Sequence, residues 1–150
     1  MESYFKFTIV RNPHSRVLSV YLDKIAREKK QIAKVLRRLN LPCGTKLSLD
    51  QFVRYLELDG ALYDDPHWAR QTDMTPVPNA YLDFIGRLET LETDTPIILN
   101  RIFGRANFRE LANEHATNAD FLIEEMLTDD LRHRIYMLYE EDFERFGYSK

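Results

Sequence analysis

The apolar positions of this chain change period several times, and each change marks an element. Residues 4–10 form a nearly continuous run of aromatic and β-branched side chains around one lysine. That pattern predicts a strand covered on both faces. Asn12 and Pro13 follow, a cap and a first helical residue. Val17, Leu18, Tyr21, Ile25, Ile32, Val35, Leu36 and Leu39 then recur at helical spacing. They predict one long helix over 13–39, stopped by Asn40 and Pro42. Ser48 and Gln51 have the spacing of a capping box, which predicts a helix carrying Phe52, Val53, Tyr55 and Leu56.

The pattern lapses over 59–80, where Gly60, Pro66, Pro76 and Pro78 break it. A loop of that length inside a domain is more often functional than idle. Residues 81–86 read as a second strand ending at Gly86, where the missing side chain would let a ligand or helix approach. Helical character resumes over 88–103 with an interruption at Pro96. A polar stretch occupies 104–118. Thr128 caps the last helix, with Asp129 and Asp130 at its positive end. Leu131, Ile135, Leu138, Tyr139, Phe143 and Phe146 line one face of it, and Gly147 ends it.

Composition adds limits. The chain has 150 residues, 21 Lys+Arg against 24 Asp+Glu, and a formal net charge of −3. This suits one globular domain and argues against bulk nucleic-acid binding. One cysteine, Cys43, makes no intrachain disulfide and no multi-cysteine zinc site. No apolar run approaches the ~20 residues of a membrane span. The first residues show no basic segment ahead of an apolar core, so no secretory signal is expected.

The junction after the first strand is the first place for chemistry. Arg11 stands at a strand's carboxyl end, ahead of a helix N-terminus. Ligands of open α/β sheets bind at that edge, and helix N-termini favour anions. An arginine there offers a forked donor to phosphate. Ser15 and Ser19 are four residues apart and share a helix face. The plainer alternative is a surface ion pair for Arg11 and simple packing for Ser19.

Residues 7–24, with Val10-Arg11-Asn12-Pro13, then Arg16-Val17-Leu18-Ser19-Val20-Tyr21, resemble the 3′-phosphate-binding segment of sulfotransferases. The likeness is to Golgi-type carbohydrate sulfotransferases (family 2) and their bacterial relatives. Three further segments match in the same order. Asp65-Pro66-His67-Trp68-Ala69-Arg70-Gln71-Thr72-Asp73 is similar to H-W-x-P-Q-x-[DE], with a changed order around the proline. Residues 81–92, from Tyr81 through Phe84-Ile85-Gly86-Arg87 to Glu89-Thr90-Leu91, resemble Y-D-F-I-G-[KR]-[FLE]-E-T-L. Residues 135–148, with Tyr139, Asp142-Phe143 and Phe146-Gly147-Tyr148, resemble Y-x-x-D-F-x-x-F-G-Y.

The resemblance implies a helix-rich, P-loop-like α/β fold with a small parallel sheet. It implies transfer of a sulfuryl group from PAPS to a hydroxyl of a glycan or similar acceptor, with no metal. Arg11 and Ser19 occupy the positions that hold the 3′-phosphate of PAPS. In-line displacement at sulfur also needs a base, for which histidine is suited. His67, in the long loop and in a matching segment, is the catalytic candidate; capping or packing within the loop is its alternative. His14 ranks lower, near enough to the junction to touch phosphate. His115 lies in a segment that departs from the family pattern. His133 reads as solvated. Trp68 is a residue for stacking on sugar or adenine, or else for core or lid. Glu89 falls in a first helical turn. Arg27, Lys29, Lys30, Lys34, Arg37 and Arg38 offer attraction to an acidic glycan, although a solvated helix face is the plainer reading.

The family's 5′-phosphosulfate loop, of the form P-K-x-[GA]-[CST]-[ST], lies well ahead of the Arg/Ser segment. Only ten residues precede Arg11 here, and 41–48 is a poor echo in the wrong place. The expectation is therefore a C-terminal portion of a single sulfotransferase domain, 1–150. The competing reading is a non-catalytic or truncated relative, a nucleotide- or glycan-binding or protein-interaction module. Few cysteines and no anchor favour a bacterial cytoplasm, with the Golgi lumen as the setting of animal relatives.

Overall fold

The computed structural model describes residues 4–104, 122 and 125–150. Its elements are β1 (Phe7–Val10), α1 (Pro13–Val20), α2 (Ile32–Arg38), α3 (Leu49–Leu56), α4 (Gln71–Met74), β2 (Phe84–Arg87), α5 (Leu91–Phe103) and α6 (Asp129–Phe146). The result is helix-rich α/β with a small parallel sheet, as expected. β1 and β2 pair in parallel, with Phe7 opposite Phe84 and Val10 opposite Arg87. Among the described residues, no helix is long and apolar enough to cross a membrane.

The first strand is shorter than the apolar run suggests. It starts at Phe7, and it is not covered on both faces. Phe7 is 39% and Ile9 44% exposed, whereas Val10 is buried. The second strand is displaced towards the C-terminus: it starts at Phe84 and runs past Gly86 to Arg87. Gly86 lies inside it, not at its end. A Cβ there would stand 3.3 Å from a Phe84 ring carbon and 3.6 Å from Asp94 Cβ, so the glycine does admit α5 closely.

The expected helix over 13–39 is two helices. Asn12 caps α1, its side chain accepting from His14 N–H at 2.8 Å. The chain then widens into a π-helical turn over Tyr21–Ile25. Glu28 adopts a positive φ of 51°, and α2 starts afresh at Ile32. The physical reason is the composition of 26–30. All five side chains there are exposed, so no apolar group anchors the turn between Ile25 and Ile32 to the core. Asp23 instead collects Lys24, Arg27 and Lys29.

Other helix ends follow the sequence closely. Ser48 and Gln51 form the reciprocal capping box of α3. Thr128 Oγ1 accepts from Leu131 N–H at the start of α6, and Gly147 ends it at φ 65°. α6 bends at Tyr139, whose φ and ψ are −118° and 21°. Pro96 does not interrupt α5, which is continuous from Leu91. The ring removes one N–H, but the carbonyl left over belongs to Glu92, an exposed residue that water reaches.

The long irregular stretch is partly ordered by single turns at Ala61–Tyr63 and Asn79–Tyr81, besides α4. Its anchor is Trp68, 1% exposed and set edge-on to Phe52 and Tyr55. Trp68 Nε1–H donates to the Ala61 carbonyl at 2.9 Å, and the Trp68 carbonyl accepts from Tyr139 O–H at 2.6 Å. The loop is thereby tied to the core of α1, α3 and α6.

Candidate functional site

A groove of about 470 Å³ opens beside the carboxyl end of β1. Arg11, Arg16, Ser19, His67, Gln71 and Leu88 are among its walls. The three residues singled out from the sequence, Arg11, Ser19 and His67, thus meet in one concavity. Its volume falls within the range of small-molecule sites.

Arg11 is held from both its main chain and its side chain. Its N–H donates to Gln71 Oε1 at 2.8 Å, and its carbonyl accepts from Gln71 Nε2–H at 2.8 Å. Its Nε–H donates to Ser15 Oγ at 2.9 Å, and Ser15 O–H donates to the Asn12 carbonyl at 3.2 Å. Ser15 is buried. The two serines of the helix face therefore differ in use: Ser15 braces Arg11, while Ser19, one turn on, lines the groove. Next to them, Asn12 N–H donates to Glu89 Oε1 at 2.6 Å, and Tyr148 O–H donates to Glu89 Oε2 at 3.0 Å. Burial first, and the Glu89 carboxylate second, push the Tyr148 hydroxyl far above its ordinary pKa.

His67 reaches the groove on a loop fastened by Arg16. One guanidinium nitrogen of Arg16 donates to the Ala69 carbonyl and the other to the Pro66 carbonyl at 3.0 Å. These two carbonyls bracket His67. Burial lowers the Arg16 pKa against the pull of Tyr139 and Asp142; an arginine nonetheless stays charged. The His67 ring is held by Asp65, whose Oδ1 lies 2.5 Å from Nδ1 and also accepts the His67 main-chain N–H at 2.9 Å. A carboxylate only accepts, so the proton of the neutral ring sits on Nδ1 and Nε2 is the accepting nitrogen. Desolvation raises the Asp65 pKa, but the hydrogen bonds from His67 outweigh it, and the net shift is downward.

The other histidines have other fates. His14 does not line the groove and so is not placed to touch phosphate. It is 4% exposed, its Nε2 meets the Arg132 carbonyl at 3.0 Å, and its ring stands edge-on to Phe143. Burial lowers its pKa below the ordinary 6.5. The helix turn that carries it faces inward because Pro13, Val17 and Leu18 do. His133 is exposed, as expected. His115 and its segment lie outside the described residues.

Trp68 packs in the core, where no sugar or adenine can stack on it. The basic run is only partly a solvated face. Lys34 and Arg38 meet Asp64 at 2.8 and 2.7 Å, and Tyr55 O–H donates to the same carboxylate at 2.7 Å. Burial works against the charge on Asp64, yet these partners hold its pKa down at about 2. The segment 41–48 is a loop away from the groove; its Thr45 hydroxyl turns back on the Pro42 carbonyl.

Arg16, Asp65, Gln71 and Asp142 fall in the matched sequence segments without a role of their own there, and the structure makes all four supports of the site. Gln71 and Asp142 are buried polar groups whose importance lies in contacts across the chain. A signal for Asp142 existed: a carboxylate inside the apolar stripe of the last helix, between Tyr139 and Phe143.

The chain is similar to carbohydrate sulfotransferase 11 of Rattus norvegicus, 27% identical over 99% of this chain and 48% of that protein. Carbohydrate sulfotransferase 12 of Xenopus laevis is 28% identical, over 100% of this chain and 41% of the relative. Carbohydrate sulfotransferase 14 of Mus musculus is 32% identical over 66% of this chain and 29% of its own length. The chain thus spans less than half of each of these relatives. No solved structure shows a significant match. The model of the Sulfotransferase family matches residues 1–149, so nearly the whole chain carries that family's pattern, and the protein belongs to the sulfotransferase family.

Proposed function

We propose that this protein takes part in sulfuryl transfer from PAPS to a hydroxyl of a carbohydrate acceptor, and that residues 1–150 belong to a single sulfotransferase domain, of which they are a portion. One observation supports the reading above others: Arg11 and Ser19, from one strand-to-helix segment, line a single groove at the carboxyl end of β1 with His67, which is distant from them in sequence. Arg11 and Ser19 bind the 3′-phosphate of PAPS. The forked guanidinium suits phosphate, and its brace on Ser15 limits the entropy lost on binding. His67 is the base. As the acceptor oxygen bonds to sulfur, the hydroxyl proton passes to Nε2. The bond from sulfur to the phosphate oxygen breaks, and adenosine 3′,5′-bisphosphate leaves. Asp65 fixes the ring's tautomer and stabilises the imidazolium that forms. The vertebrate relatives support an animal, Golgi-lumen setting over a bacterial cytoplasm.

The test is calorimetric binding of adenosine 3′,5′-bisphosphate, together with sulfate transfer from radiolabelled PAPS to unsulfated polysaccharides. Binding that Arg11→Ala abolishes, with transfer that His67→Ala abolishes, is the expected result. Binding without transfer leaves a nucleotide-binding module. No binding at millimolar ligand sinks the assignment of the groove.

A further inference from the structure

The sheet ends one residue before Arg11. Val10, opposite Arg87, is the last residue of β1 in the strand register. The Gln71 side chain bonds to both the N–H and the carbonyl of Arg11, at 2.8 Å each, in the manner of one residue of an added strand. Gln71 is itself fixed from the far side of the molecule. Its main-chain N–H donates to Asp142 Oδ2 at 2.8 Å, its Nε2 lies 3.5 Å from the same oxygen, and Thr72 N–H donates to Asp142 Oδ1 at 2.8 Å. Asp142 is 0% exposed. A buried carboxylate with these donors costs too much to leave unpaired, so it holds one arrangement.

We infer that Asp142 and Gln71 are positioning residues for the donor site: the Asp142–Gln71 relay sets the main-chain position of Arg11 and thereby aims its guanidinium at the 3′-phosphate. This rests on the proposed role of Arg11. The relay joins α6, the long loop and the strand end, three segments distant in sequence. It therefore ties the groove's geometry to the packing of the last helix. A relay that merely held the fold together would affect every ligand alike. One that aims Arg11 affects the ligand bearing a 3′-phosphate.

The experiment compares affinities for adenosine 3′,5′-bisphosphate and adenosine 5′-monophosphate in the full chain, Arg11→Ala, Gln71→Met and Asp142→Asn. Melting temperatures are recorded in parallel. The unaltered chain should prefer the bisphosphate, and Arg11→Ala should abolish the preference. Gln71→Met and Asp142→Asn should each lower that preference about tenfold, with the monophosphate bound as before. A preference kept in folded Gln71→Met and Asp142→Asn overturns the relay alone. Equal loss of both ligands, or failure of both variants to fold, assigns the network to the fold and overturns it too. No preference in the unaltered chain, or one that survives Arg11→Ala, overturns the phosphate assignment and the relay with it.

Discussion

Asp65 accepts two hydrogen bonds from His67, one from the main-chain N–H at 2.9 Å and one from ring Nδ1 at 2.5 Å. The two residues thus form a rigid unit in which the carboxylate decides where the imidazole proton sits. Asp65→Asn presents an amide that can donate to Nδ1 and stabilise the opposite tautomer. We expect sulfate transfer to fall at least about tenfold, by analogy with other His–Asp pairs, and bisphosphate affinity to stay within twofold or so. Equal transfer rates for Asp65→Asn and the unaltered chain would refute the orienting role.

Arg16 donates to the Pro66 and Ala69 carbonyls on either side of His67. Arg16→Met keeps much of the aliphatic stem and leaves both carbonyls without their donor. The expected loss of stability is about 1–3 kcal/mol. Arg16→Lys should recover only part of it, because one ammonium cannot match the fork. Urea denaturation of the three proteins measures this; indistinguishable midpoints would contradict it.

Trp68→Phe tests the core role of that indole. Phenylalanine keeps one six-membered ring but not the pyrrole part of the indole, so some core volume is lost and the Ala61 carbonyl loses the Nε1–H donor. Stability should drop by about 1–3 kcal/mol, with no change in bisphosphate affinity. A variant of unaltered stability and weakened ligand binding would return Trp68 to the binding surface.

Acid should destabilise the protein in two stages. His14 has a folded pKa below 6.5 because burial disfavours its charged form. The unfolded chain therefore takes up that proton first. The stability due to neutral His14 is complete above about pH 6.5 and is lost as pH falls towards the folded value. Asp64, held at about 2 by Lys34, Tyr55 and Arg38, contributes stability that is complete above about pH 4. It is lost as pH falls from there towards 2. Urea midpoints between pH 7.5 and 2.5 should show both declines, and His14→Gln should remove the first. A first decline undiminished in His14→Gln would assign it to another group.

Local rules account for much of what was legible beforehand. Asn12, Ser48, Thr128 and Gly147 set helix ends through atoms a few residues away, and such short-range chemistry reads directly from sequence. Arg11, Ser19 and His67 were legible from motif resemblance, and they do line one groove. The errors arose where a local pattern had two solutions. Apolar spacing allows a helix to run through 26–30, but exposed charges there leave it nothing to pack against. The run at residues 4–10 looks fully buried, yet a sheet of two described strands leaves Phe7 and Ile9 exposed.

The sequence by itself determined the helix-rich α/β class, the capped helix ends, the sulfotransferase pattern and the three residues to watch. Only the tertiary structure decided how those residues are held. Gln71, Asp142 and Arg16 act across gaps of 50 to 71 positions. A hydrogen bond between such distant groups leaves no periodicity or spacing in the chain; it exists only once packing has brought a strand end, a loop and the last helix together.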